Sequence, residues 1–207
     1  GNQAFQERDA FMGVEKYQQG IKKFKDLNDL DRVFEVLRNL AEHCIASNHH
    51  VLAKKYADEL YNLSEKYNSL FYRAEANYLD GYLSLKDAQI EELESALKKV
   101  QKASINYENA GDYAGAGKCY HKIGTIYQFR LNKPFNACLF YEQAIRSFNE
   151  GLHKGHPLRT SIWSKSELLS QKIIELRDLV EELIPKIENS EERKKIQDDL
   201  NSINANL

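Results

Sequence analysis

Between Asp112 and Asn149, large and small apolar residues recur at intervals that two closely packed helices satisfy. Tyr120, Ile123, Gly124 and Tyr127 fall at i, i+3, i+4 and i+7, which is one face of a helix. After a short connection containing Asn132 and Pro134, a second face follows with Ala137, Tyr141 and Ala144. Aromatic rings set beside residues with little or no side chain predict two antiparallel helices in close approach. Gly124 and Ala137 remove the bulk at the crossing.

The same alternation recurs along the chain. Among 207 residues there are only 10 Gly and 3 Pro, so few positions interrupt a helix. Residues 3–26 are expected as one helix, with Gly13, Tyr17 and Gly20 on its small-aromatic-small face and Ile21 and Phe24 beside it. Asp29 or Asp31 is the expected N-cap of the next helix, which carries Leu37, Leu40, Ala41 and Cys44. After the Ser47–His50 turn come Ala53, Ala57 and Leu60. A turn at Asn68 and Ser69 leads to Ala76, Leu79, Gly81 and Leu83. From about Ala88 a partner helix carries Ala103, Tyr107 and Ala110, and the absence of a breaker predicts that it is overlong. Gly111 is the expected C′ residue and Asp112 the following N-cap.

The phrase Y-x2-IG-x2-Y followed by A-x3-Y-x2-A resembles the tetratricopeptide repeat, with its aromatic, Leu-Gly, Tyr and A-x3-F-x2-A pattern and its period of about 34 residues. The resemblance implies an all-α, right-handed α-α superhelix with C-terminal capping helices. The array then occupies 1–150: a half repeat at 3–26 and repeats at about 29–67, 69–110 and 112–150. The half repeat implies a chain that starts mid-array, although an ordinary N-terminal capping helix has the same residues. The segment NYENAGDYAGAGKCYHKIGTIY is also similar, over about 25 residues, to soluble vesicle-fusion attachment proteins.

Beyond Phe148 the texture changes. The two Gly and one Pro of 151–159 predict a loop, and 160–207 predicts capping helices. Leu169, Ile173, Leu176, Val180 and Leu183 step in heptad fashion until Pro185 forces a kink or stop; Ile196, Leu200 and Ile203 resume it. The alternative use of these heptads is a homodimer through 160–207.

No constellation for catalysis, a cofactor or a metal emerges. His49-His50 lies in a polar turn, and His153 and His156 lie in the expected loop without Cys or acid at ligand spacing. The glycines before Lys118 miss the Walker spacing, with Cys119 where a hydroxyl belongs. The carboxylate pairs Glu91-Glu92, Glu181-Glu182 and Glu191-Glu192 fall on polar helix faces. A net charge of −2 and interleaved lysines argue against nucleic acid. No apolar run approaches the ~20 residues of a membrane span. Cys44, Cys119 and Cys138 sit among apolar helical neighbours as expected buried thiols, which implies a reducing, cytoplasmic setting.

The resemblance further implies which residues face a ligand groove. With Leu37, Ala76 and Tyr120 each at the fourth position of a first helix, the groove receives Arg38, Glu42, Asn77, Tyr78, Lys118, His121 and Lys122. Lys118 and Lys122 match the basic pair with which chaperone adaptors hold peptide carboxylates, and Arg38 matches the first basic position. Glu42 and Tyr78 stand where those adaptors have Asn. The expected function is protein or peptide binding without catalysis. The alternatives are a peptide-sensing regulatory domain and an assembly scaffold.

Overall fold

A computed structural model describes residues 15–155 and 165–205, and all regular structure among these is helical. The order is α1 (15–26), α2 (Leu30–Ala46), α3 (His50–Lys66), α4 (Leu70–Asp87), a 3-10 turn (Ile90–Glu92), α5 (Leu93–Asn109), α6 (Tyr113–Phe129), α7 (Pro134–Lys154), α8 (Ser166–Leu183), a second 3-10 turn (Ile184–Lys186) and α9 (Ser190–Ala205). Two compact units follow, Gly1–Asp87 and Ala88–Leu207.

One local device ends helix after helix. Asn28, Asn48, Asn68 and Asn132 have φ of 55°, 59°, 52° and 50°, and Gly111 has φ of 76°. Asn tolerates this left-handed region better than other side chains because its short amide can hydrogen-bond locally. The reversal lets the next backbone N–H reach back into the last turn: Asp29 N donates to Phe24 O at 2.9 Å, His49 N to Cys44 O at 2.8 Å and Asp112 N to Tyr107 O at 2.8 Å. These are Schellman closures, which satisfy helix-end carbonyls that would otherwise lack a partner. Asp29 and Asp112 then cap the following helices, accepting from Arg32 N at 3.3 Å and Gly115 N at 2.9 Å.

The tight turns space the helices evenly. Leu30, His50 and Leu70 open α2, α3 and α4 at 20-residue steps, and Leu93 and Tyr113 open α5 and α6 at the same step. Each helix pair therefore spans more chain than the period of about 34 expected from the tetratricopeptide pattern. The helices themselves are longer, at 17 residues for α2, α3, α5 and α6.

In the first unit α3 packs against both α2 and α4. Leu37, Leu40, Ala41, Cys44, Ala53 and Leu60 are fully buried there. Phe34 stacks on Tyr72 with centroids 4.3 Å apart, and Ile21 of α1 joins the same core. Gln18 Nε2 of α1 donates to Tyr56 Oη at 2.9 Å. Residues 3–14 of the expected half repeat, Gly13 included, lie outside the described residues.

In the second unit α6 and α7 make the closest crossing. A Cβ at Gly124 would stand 2.5 Å from Tyr141 Cε1 and 3.2 Å from Ala137 O, and one at Gly117 would stand 2.7 Å from the Phe148 ring. Those glycines are what allow the rings to lie on the α6 backbone. Leu169, Ile173, Leu176, Val180 and Leu183 of α8, with Ile196, Leu200 and Ile203 of α9, are all buried in the core that α7 shares. The heptad residues thus lie within this chain's own core. Pro185 sits in the 3-10 turn that ends α8.

Two expected boundaries are corrected. The helix expected from about Ala88 is not overlong, because α4 continues to Asp87 and α5 starts at Leu93. A capping box at Gln89 and Glu92 breaks the chain between them, a polar signal that needs neither Gly nor Pro. The loop expected from 151 starts later: α7 runs to Lys154, so His153 is helical, and Gly151 is buried, where an added Cβ would stand 3.4 Å from Ala114 N and 3.5 Å from Leu169 Cδ1, ordinary contact. That glycine does not break the helix. Residues 156–164, with His156, Thr160 and the rest of that expected loop, lie outside the described residues.

Gly124→Leu should destabilise the protein by about 1–3 kcal/mol or more through overpacking against Tyr141. A thermal melt unchanged from wild type would contradict the crossing. Asn68→Val should cost on the order of 1 kcal/mol, while Asn68→Gly holds or gains stability; equal melts for the two variants would remove the turn argument.

Candidate functional site

The α6 helix carries Lys118, His121 and Lys122 together, all half-buried. Lys118 and Lys122 are one turn apart on one face. Burial pushes the Lys122 ammonium below its usual range, and the Lys118 charge adds to the effect. His121 is also held low, first by burial and then by Lys172 and Lys122, with Glu175 opposing. Its ring lies 6.0 Å from that of Tyr141. Lys172 and Glu175 belong to α8 and form an ion pair, so α8 brings a third lysine to the basic cluster of α6. Sequence reading passed over Lys172 because nothing in a heptad pattern says which helix will lie beside it.

The cluster has an electrostatic consequence. Like charges held close in a partly desolvated site disfavour their own ionised forms, and an opposite charge brought among them relieves this. Such a site can take a carboxylate, sulfate or phosphate group. On the other side of α6, Tyr127 stacks on Phe140 of α7 at 5.4 Å, and Tyr120 lies 6.5 Å from the same ring. Tyr120 Oη donates to Glu108 Oε1 at 3.0 Å, and burial raises its hydroxyl to about 12.

The other expected groove residues belong to the first unit. Arg38 donates through Nη2 to the neighbouring Asn39 Oδ1 at 3.0 Å, while its Nε is buried without a hydrogen-bond partner. Glu42 is exposed. Asn77 Nδ2 donates to Arg73 O, one turn back in its own helix, at 2.8 Å. Tyr78 is 8% exposed and stacked with Tyr82. Sequence spacing locates a residue on a helix face but does not tell whether that face stays open.

Other groups resolve into structural roles. Gly115 and Gly117 lie within α6 under Tyr107 and Phe148, where a phosphate loop has no place. His50 Nδ1 meets Asp87 Oδ2 at 2.9 Å, a pairing across 37 residues that no local pattern announces. Among the described residues no cluster of three or more His, Cys, Asp or Glu is placed to hold a metal ion. No described helix is long and apolar enough to cross a membrane. Cys44, Cys119 and Cys138 are buried, and burial pushes the Cys138 thiol up to about 12. A cavity of about 630 Å³ opens where the α6–α7 and α8–α9 turns meet, lined by Phe129, Pro134, Phe135, Leu183 and Ile187 among others. Its charged lining is mixed, Lys133 and Lys186 against Glu188 and Glu192, and selects no ligand charge.

His121 should titrate below the ordinary histidine range, and Lys172→Gln should raise its midpoint by removing a neighbouring charge. For a histidine held low, the associated stability is present above the unfolded value near 6.5 and is lost as pH falls through the folded value. Imidazole proton NMR of both proteins checks this, and identical midpoints would separate Lys172 from the cluster.

No family model and no curated protein matches this chain. Among solved structures, a "DHF79 filament" is similar, at 15% identity and a TM-score of 0.38, over 92% of this chain and 99% of its own. Likeness of that degree carries no argument about fold or function.

Proposed function

We propose that this chain is a non-catalytic, tetratricopeptide-like interaction module that binds an acidic peptide or partner helix across the face shared by α6 and α8. The helix pairs are read as members of a right-handed superhelical array, with α8 and α9 closing its end. The observation that carries the reading is the cluster of Lys118, His121, Lys122 and Lys172, in which burial and like charge together hold Lys122 and His121 below their ordinary ranges. Perturbed groups gathered in one place are a mark of functional sites, since the fold tolerates their mutual repulsion. Helices also supply a rigid face, so a ligand would meet charges already in position. The face between α6 and α8 offers positive charge on a fixed helical scaffold. An acidic segment complements it.

Fluorescence anisotropy with labelled acidic, neutral and basic peptides tests this. Acidic peptides should bind selectively, and more weakly as salt rises. Reversing Lys118 and Lys122 to Glu should weaken them about tenfold or more, at least ~1.4 kcal/mol, with the circular dichroism spectrum unchanged. Equal binding by the reversal variant, or no preference among peptide charges, would exclude the site.

A further inference from the structure

A second charged group in the same unit has no role in peptide binding. Glu142 lies in α7 at 4% exposure, and its Oε1 is buried without a hydrogen-bond partner. The α7 helix on which it lies also packs against α9. The charges that act on Glu142 are Asp199 and Lys195 of α9 and Arg146 of α7 itself. Cys138, one turn earlier on α7, is a buried thiol that feels the Glu142 carboxyl in turn. Among the described residues α6 and α8 add no charged group to this set. Their own charged groups, Lys172 and Glu175 of α8 and Lys122 of α6, act on His121 instead.

The α9 helix is lightly held. Only Ile196, Leu200 and Ile203 of α9 are buried, and the rest of SEERKKIQDDLNSINA is mostly charged or amide. Its first turn is anchored separately: Arg193 Nε and Nη2 donate to Ile187 O at 3.0 and 2.6 Å, and Asn189 Oδ1 accepts from Glu191 N at 2.9 Å. The body of α9 therefore docks by three aliphatic side chains, and its Asp199 and Lys195 act on a carboxyl one of whose oxygens is buried with no donor.

We propose that α9 is a proton-controlled latch, docked on α7 while the Glu142 carboxyl holds a proton and loosened when Glu142 ionises opposite Asp199. An ionised carboxylate under apolar cover loses hydration that no donor replaces, whereas the protonated form does not face this cost. Undocking returns Glu142 to water, where it ionises as an ordinary carboxyl. Burial, with Asp199 next, lifts the docked group from 4.5 to about 8. The sign follows from linkage. For an acid raised in the docked state, the contribution to docking is complete below the ordinary value. It falls as pH climbs and levels off once the docked value is passed. Between roughly pH 4.5 and 8, each unit should favour the open form about tenfold.

Hydrogen exchange of the full chain, read on α9 peptides from pH 5.5 to 7.5 and corrected for intrinsic rates, tests the latch. Peptides from α2 and α3 serve as the internal reference. In wild type, α9 protection should fall by about tenfold per pH unit relative to Glu142→Gln, a near-isosteric change that cannot ionise. Asp199→Asn should keep α9 protected and end the pH-dependent fall at lower pH, because a neighbouring negative charge is gone. A wild-type slope equal to that of Glu142→Gln would overturn the proposal. So would a Glu142→Gln effect of the same size at every pH, which marks a packing role without a proton.

Discussion

The crossing of α6 and α7 is the constraint on which the second unit depends. Gly117 and Gly124 carry no Cβ, so the Phe148 and Tyr141 rings rest directly on the backbone of α6. Side chains at either position would push the helices apart. Most later contacts are built on α7, which also receives α8 and α9. The helix therefore has three neighbours to satisfy, and small residues at Ala137, Ala144 and Gly151 let it meet them. Close packing of this kind transmits displacement, since a protein interior has little free volume to absorb it.

The turns solve a different problem. A chain of helices can bury one stripe on each only if each reversal presents the next stripe at the right angle. The left-handed Asn residues and Gly111 impose nearly the same short reversal at successive helix ends. With 20 residues between helix starts, equivalent positions recur, which is why Leu37 and Ala57, and likewise Leu40 and Leu60, enter buried faces. The break at Ala88–Glu92 departs from this scheme. There the capping box of Gln89 and Glu92 resets the chain with a longer connection, and the two compact units part at that place.

Charge shows where the fold accepts an unfavourable arrangement. Most ion pairs lie at the surface, such as Lys25 with Glu59 at 3.0 Å, and such pairs contribute little. Two places differ. On α6, positive groups crowd together under partial burial; on α7, a carboxyl is buried with an oxygen unmatched. The energetic responses are opposite in sign. Lys122 and His121 give up protons more readily than usual, while Glu142 keeps its proton longer. By charge alone, an anion would relieve the first tension and a proton the second.

Local chemistry was legible in the amino-acid order. Apolar spacing located the helices, and Asp29, Gly111 and Asp112 announced their caps because capping acts within a few residues. Gly124 and Ala137 were readable for the same reason: the period of a helix places them on one stripe. The Gln89–Glu92 break was also local, but its polar signal was overshadowed by the lack of Gly and Pro. The tertiary structure alone decided what lies beside each stripe. Tyr78 turned out buried, Gly151 became a contact with Ala114 and Leu169, and Lys172 came to act on His121. The α9 charges that act on Glu142 belong with these. Helical periodicity determines which residues share a face, but only packing among distant segments determines what that face meets and how far it is removed from water.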